Sequence, residues 1–398
     1  MNHKGIYLLV FLIIFMNSCI SPYNPDISKY ENIFVVDGEL TNLPGPYHVK
    51  LSRSFKYDES SGDPVSGALV KIIDNTGKEA ELKETGNGIY STIDSTFQGI
   101  VGQSYKLQIK LNDEIYESEF ETLKRPIPID RVYWEYRVAD NSDADGIQLL
   151  LDTHDSTNGT RYYAWNYDET WKFRVPIDVV DKPEWKVCYK SLSKLNLDVG
   201  TTINRIGDII EKHPLLFIDG NTNRLFIRYT MLVRQFTLSE QTYKFFNSLI
   251  TINQNQGTLF DPMPYSLVGN VKSLSNKDLP VLGYFLVAGA SEKRIFIDRS
   301  DLPEDFNPTD GFDGCNTENA IVPWTLRNDI RQDPKVDSLM RLGYSVLDKN
   351  NSCTSLGPDP CTAKDSVVIV YMAKPYCFNC TLNGTNKVPD FWKEKDSN

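Results

Sequence analysis

The sequence predicts a mainly β protein, with a β-sandwich first and then a larger β-rich domain holding one clear helix. Three observations carry this. Aromatic residues make up 12% of the chain, with 21 Tyr and 19 Phe, and such rings favour half-buried pleated faces. Apolar residues alternate with polar ones, as at Tyr105, Leu107, Ile109 and Leu111. Turn signals such as Asp74-Asn75-Thr76-Gly77 separate these runs at short spacing.

Taken in order, Met1 to Ser18 is a leader: Lys4 is the positive start, Ile6 to Phe15 the apolar run, and Ser18 a small residue before the cut. The run is too short to span a membrane, which needs roughly 20 apolar residues. A small residue directly before Cys19 resembles a bacterial lipobox, so Cys19 is the expected lipidated residue. Residues 19–32 read as a tether, with Pro22 and Pro25 among polar neighbours.

Residues 33–125 read as the sandwich. Tyr47, Val49 and Leu51 alternate, as do Ala68, Val70 and Ile72, and Asn112-Asp113 is a tight turn. Pro64 to Ile72, with Gly88-Ile89-Tyr90 and Gly102-Gln103-Ser104-Tyr105, looks like an immunoglobulin- or transthyretin-type module. Lys124 to Ile129 marks a stiff boundary, because Pro126 and Pro128 cannot donate to a ladder.

Residues 126–398 form the second domain. Strands are expected at Val132–Val138, Ile147–Leu151, Tyr162–Trp171, Cys188–Leu192 and Phe226–Gln235. Ser239 reads as the N-cap of a helix over Glu240–Asn253, with Tyr243, Phe246, Leu249 and Ile250 on one face. Two strands follow, Val281–Ala288 and Arg294–Ile297, then a short helix at Lys335–Leu342 and a strand at Val367–Met372.

The net charge of −11 makes nucleic acid and anionic lipid poor partners, since both repel it. Beyond Cys19, Cys188, Cys315, Cys353, Cys361, Cys377 and Cys380 form an even set, expected as disulfides in an exported chain, with the pairing open. Cys377-Phe378-Asn379-Cys380 lacks the following helix that a redox pair needs, and a zinc ribbon needs a second close pair. Asn141, Asp143, Asp145, Gly146 and Asp152 come near a calcium loop, but the twelfth residue is Asp and strands flank it. A polar hairpin tip is the plainer reading, with calcium as the alternative and no other cofactor expected. The histidines are scattered, and no nucleophile elbow, dinucleotide fingerprint or P-loop occurs. Rings near Trp165 and Trp171 are expected in the core rather than stacked on sugars.

Several motifs together point to one family. They include Tyr162-Tyr163-Ala164-Trp165, Tyr229 to Phe236, Gly257 to Pro262, Leu282-Gly283-Tyr284-Phe285, Lys293-Arg294-Ile295-Phe296, and Cys377-x-x-Cys380 with Pro389-Asp390-Phe391-Trp392. With the lipobox, they resemble an uncharacterised family of Bacteroidota outer-membrane lipoproteins, described as a domain of unknown function, over nearly the whole mature chain. Members are often encoded beside TonB-dependent receptors. The resemblance implies lipid anchoring in the outer membrane, surface display ahead of periplasmic, and a TonB-dependent receptor as partner. Asp94-Ser95-Thr96, Asp155-Ser156-Thr157, Asp337-Ser338-Leu339 and Asp365-Ser366-Val367 look like the O-glycosylation sequon of that phylum, making Ser95, Ser156, Ser338 and Ser366 candidates. The expected function is a non-catalytic accessory that captures a glycan or peptide ligand. A surface adhesin is the alternative, and a glycan or peptide hydrolase drawing acids from Asp301 to Asp313 comes third.

Overall fold

The computed structural model describes residues 32–54, 62–94, 97–138, 145–194, 197–254, 269–353 and 366–394. The fold is mainly β, as expected. The first strands are β1 (Phe34–Thr41), β2 (His48–Arg53), β3 (Leu69–Asp74), β4 (Glu79–Gly86), β5 (Ile89–Thr92), β6 (Ser104–Leu111), β7 (Glu114–Ser118) and β8 (Glu121–Thr122). Alternation sends Val36, Val49, Leu51, Val70, Ile72, Leu107 and Ile109 into one core. The predicted turns form with their own chemistry. The Asp74 carboxylate accepts from the Thr76 and Lys78 amides at 2.8 and 2.9 Å, and Asn112 takes the left-handed φ of 55° between β6 and β7.

The middle of the chain adds β9 (Ile129–Arg137), β10 (Gly146–His154), β11 (Tyr162–Arg174), β12 (Val187–Ser193), β13 (Asp198–Thr201), β14 (Ile209–Asp219) and β15 (Arg228–Thr237). Helix α1 (Glu240–Gln254) follows, then β16 (Val271–Ser273) and β17 (Val281–Asp298). Ser239 caps α1 by accepting from the Thr242 amide at 3.1 Å. A second helix, α2 (Pro334–Arg341), packs with β18 (Glu318–Pro323), β19 (Ser345–Cys353) and β20 (Ser366–Ala373) around Val322, Val336, Val368 and Met372.

β17 departs from the sequence reading. One continuous strand of 18 residues replaces the two expected. Its first half, Val281 to Ala288, runs parallel to β1. Its second half, Gly289 to Asp298, runs antiparallel to β15. The strand passes the Lys124–Pro126 crossing because position 289 is glycine: a Cβ there would meet the Lys124 carbonyl oxygen at 2.2 Å. β17 thereby fuses the halves into one sheet, ordered β12-β11-β15-β17-β1-β2-β5-β4-β3-β6-β7-β16.

β16 and the first half of β17 therefore complete the first core, so the boundary expected at 125 does not separate two independent sheets. Asn270 closes this unit. It is 3% exposed, and its amide donates to Phe285 O at 2.8 Å and accepts from Phe285 N at 2.9 Å, as a neighbouring strand would. The proline-rich crossing is not a free linker either. Thr237 Oγ1 donates to Arg125 O (3.1 Å), and Gln235 Nε2 and Ser291 Oγ both donate to Ile127 O (2.8 and 2.6 Å).

A three-stranded sheet, β14-β10-β9, covers one face of β11 and β15. Between them lie Ile147, Leu149, Leu151, Trp165, Met231 and Val233. Trp165 is 1% exposed, so its ring packs the core as expected. Its Nε1 donates to Gln235 Oε1 at 2.9 Å. The imidazole of His213 rests 4.0 Å from the Trp165 ring, with Nε2 buried and unpartnered. α1 covers the opposite face of β11, β15 and β17 through Phe245, Phe236, Leu238 and Tyr284.

Among the described residues two disulfides bind the C-terminal segment: Cys188–Cys380 joins it to β12 across 192 residues, and Cys315–Cys377 joins it to the acidic loop. The two cysteines of the C-x-x-C pair thus face different partners rather than each other. Non-reducing peptide mapping should recover both cross-links. The paired variant Cys188→Ala/Cys380→Ala should lose about 2–5 kcal/mol of stability in denaturant melts.

Burial lowers the His213 pKa from 6.5 to about 4. Above pH 6.5 folded and unfolded chains are both neutral there, so nothing is lost. Between 6.5 and about 4 only the unfolded chain takes the proton, and stability falls by on the order of 3 kcal/mol across that window. Thermal melts of His213→Phe should show a shallower loss over the same pH range than the parent.

Candidate functional site

A concavity of about 1130 Å³ lies beside α1, on the face of β1, β2 and β17 away from the first core. That is large enough for a ligand of several residues or sugar rings. Its floor comes from alternate positions of β1, Val35, Asp37 and Glu39, with Lys50 and His48 from β2 and Leu282, Tyr284 and Leu286 from β17. Phe245, Phe246, Leu249 and Ile250 of α1 form an apolar wall. Lys194, Leu197 and Asp198 close the other side.

Asp37 and Glu39 face the same way, because side chains repeat every second residue along a strand. Their Cα atoms stand roughly 6.6 Å apart on that geometry. Both carboxyls reach water through the cleft mouth while protein surrounds them on the other sides. That enclosure raises both pKa values. Lys50, opposite Asp37 in register, opposes the shift at Asp37, and Arg234 opposes it at Glu39. Arg234 is already held by Asp168 at 2.7 Å and Glu292 at 2.8 Å. Lys194 pairs with Asp198, and His48 Nδ1 lies 2.6 Å from Ser91 Oγ. Among the described residues, neither Asp37 nor Glu39 carries a hydrogen bond or close ion pair. Asn166 lines the cleft as a residue, while its Oδ1 is buried out of reach of the cleft and has no partner. Tyr284 differs: its hydroxyl lies 3.1 Å from Thr242 Oγ1, and burial raises its pKa to about 12. The cleft thus offers unmatched acceptors below an apolar wall.

The chain matches, over residues 20–294, a family described as a domain of unknown function (DUF4249). The chain belongs to the DUF4249 family. No curated protein matches it. The DUF4249 stretch includes every residue lining the cleft and ends inside β17. The motifs from Cys377 to Trp392 lie beyond it, so the resemblance reaches less of the chain than the nearly whole mature chain expected from those motifs.

The residues singled out from sequence do not assemble into this cleft. Cys19, Ser95, Asn141, Asp143 and Cys361 lie outside the described residues. Cys353 and Ser366 stand opposite each other at the ends of β19 and β20. The calcium reading is corrected at Asp152: β10 begins at Gly146 and carries Asp152 within it, so extended strand holds the fifth and twelfth positions, Asp145 and Asp152, apart instead of folding them into one loop. Asp152 instead accepts from Arg131 Nε at 2.5 Å and the Lys212 amide at 2.7 Å, which hold its pKa low. Tyr136 donates to Asp145 at 2.5 Å, and Asp145 lines a small polar hollow with Asn221, Asp305 and Asn307. Among the described residues no cluster of three His, Cys, Asp or Glu side chains can hold a metal.

Ser156 is exposed in a turn that Asp155 organises by accepting from the Gly159 and Thr160 amides at 3.0 Å. Ser338 is exposed on α2. The acidic loop satisfies its own backbone: Asp301 accepts from the Asp298 amide and Asp310 from the Phe312 amide. Asp37 and Glu39 escaped the sequence reading because acids alternating with Val36, Gly38 and Leu40 look like an ordinary solvent-facing edge. Only the helix two hundred residues downstream turns that edge into a floor.

Enclosure disfavours the charged form of Glu39, so it weakens the fold only where the unfolded chain is ionised, above its ordinary 4.5. Glu39→Gln should therefore melt at a higher temperature than the parent at pH 7, and at the same temperature below pH 4.5.

Proposed function

We propose that this DUF4249 protein is a lipid-anchored outer-membrane accessory that captures a ligand in the α1 cleft and hands it to a TonB-dependent transporter. The cleft carries this reading: an open-mouthed hollow with an apolar wall and unmatched polar groups is how small-molecule and peptide sites are built. Two disulfides suit an oxidising compartment outside the cytoplasm. The leader and the Ser18-Cys19 junction support acylation at Cys19, and we propose the cell-surface side ahead of the periplasmic one for the body. The exposed seryl hydroxyls of Ser156 and Ser338 are open to O-glycosylation in such a setting.

The hydrolase reading draws on one observation. Asp37 and Glu39 are two carboxyls with raised pKa values on one face of a strand, and acid–base pairs in glycoside hydrolysis are built from such groups. Turnover of a glycan panel, lost in Asp37→Asn, would move the protein to that class.

Detergent extraction of the outer membrane followed by affinity recovery of the tagged full-length chain should bring down one transporter. Cys19→Ser should leave the chain out of the membrane fraction and lose that partner. Recovery of the parent protein without a transporter under any growth condition would overturn the accessory role.

A further inference from the structure

The charges around the cleft do not balance. Lys194 is consumed by Asp198, and Arg234 is shared between Asp168 and Glu292. Lys50 faces Asp37 across the β1–β2 pair. Glu39 is left with no cation of its own, next to a second carboxyl two residues away. A ligand that fills this space must bring donors, and at least one positive charge, to the floor. Above the floor, Phe246, Leu249 and Ile250 offer only apolar surface.

We propose that the cleft takes a cationic amphipathic ligand: a protonated amine or guanidinium between Asp37 and Glu39, joined to an apolar group lying on Phe246, Leu249 and Ile250. This deepens the capture reading and rests on it. Anionic ligands meet two carboxylates on entry and are rejected. Neutral sugars satisfy the acceptors but leave the negative charge uncompensated. The same chemistry is carried by a basic residue flanked by apolar ones in a peptide, and by a free alkylamine.

Calorimetric titration of the full mature protein at low salt tests this with capped Leu-Lys-Leu, its norleucine and glutamate counterparts, heptylamine and a neutral oligosaccharide. Leu-Lys-Leu should bind and the glutamate peptide should not. Glu39→Gln should weaken Leu-Lys-Leu at least tenfold, about 1.4 kcal/mol. Leu249→Arg, which would supply an internal cation to the floor, should abolish binding while a thermal melt shows the protein folded. Heptylamine matching the peptide would name small amines as the source, and peptide binding alone would name peptides. Equal binding of the norleucine peptide, indifference to Glu39→Gln, or binding of the oligosaccharide alone would overturn the cationic class and leave the cleft a capture site. Silence from every probe in folded protein would also overturn the class, and the accessory role would still stand or fall on co-purification.

Discussion

The backbone ladder of β17 is the interaction on which the other parts of the molecule depend. Strands in globular proteins are commonly five or six residues long, whereas β17 has 18 and runs for roughly 60 Å. Its two halves satisfy amide groups in opposite senses, parallel with β1 and antiparallel with β15. Its side chains feed three separate apolar clusters: Phe285 and Val287 the first core, Ile297 the second, and Leu286 and Ala288 the layer under α1. The cleft floor is made of β1, β2 and the first half of β17, so its geometry is set by the parallel part of the ladder.

Much of this was legible residue by residue. Period-two alternation located β2, β3, β6 and β15, and in β2 and β6 it marks one buried face and one wetter face. The cap at Ser239 and the stripe Tyr243, Phe246, Leu249 and Ile250 located α1. What escaped were features decided by distant partners. β17 reads as two strands because Gly289 to Lys293 lacks apolar alternation, yet that stretch is held by the Val233–Thr237 backbone and by the crossing at Arg125 to Ile127. β14 was missed because Glu211, Lys212 and Pro214 break the pattern, and its register against β10 does slip there. The disulfide pairing could not be read, since 192 residues separate Cys188 from Cys380 and only the fold brings them together.

Side chains substitute for backbone wherever the sheet is interrupted. Asn270 bonds both polar groups of Phe285, and Asn42 does the same for Ala290, accepting from its amide at 2.6 Å and donating to its carbonyl at 3.1 Å. Gln235, fully buried, serves Trp165, Ile127 and Thr153 together. Each amide stands where a strand ends or a proline removes a donor, which keeps a continuous sheet possible through an irregular crossing.

The parallel seam also decides where the chain can be divided. Cut after residue 125, the N-terminal piece would lose β17 and leave the eight residues of β1 as a naked border. Their amides and carbonyls would be free to recruit another copy, so the severed fragment would aggregate rather than behave as a small autonomous module.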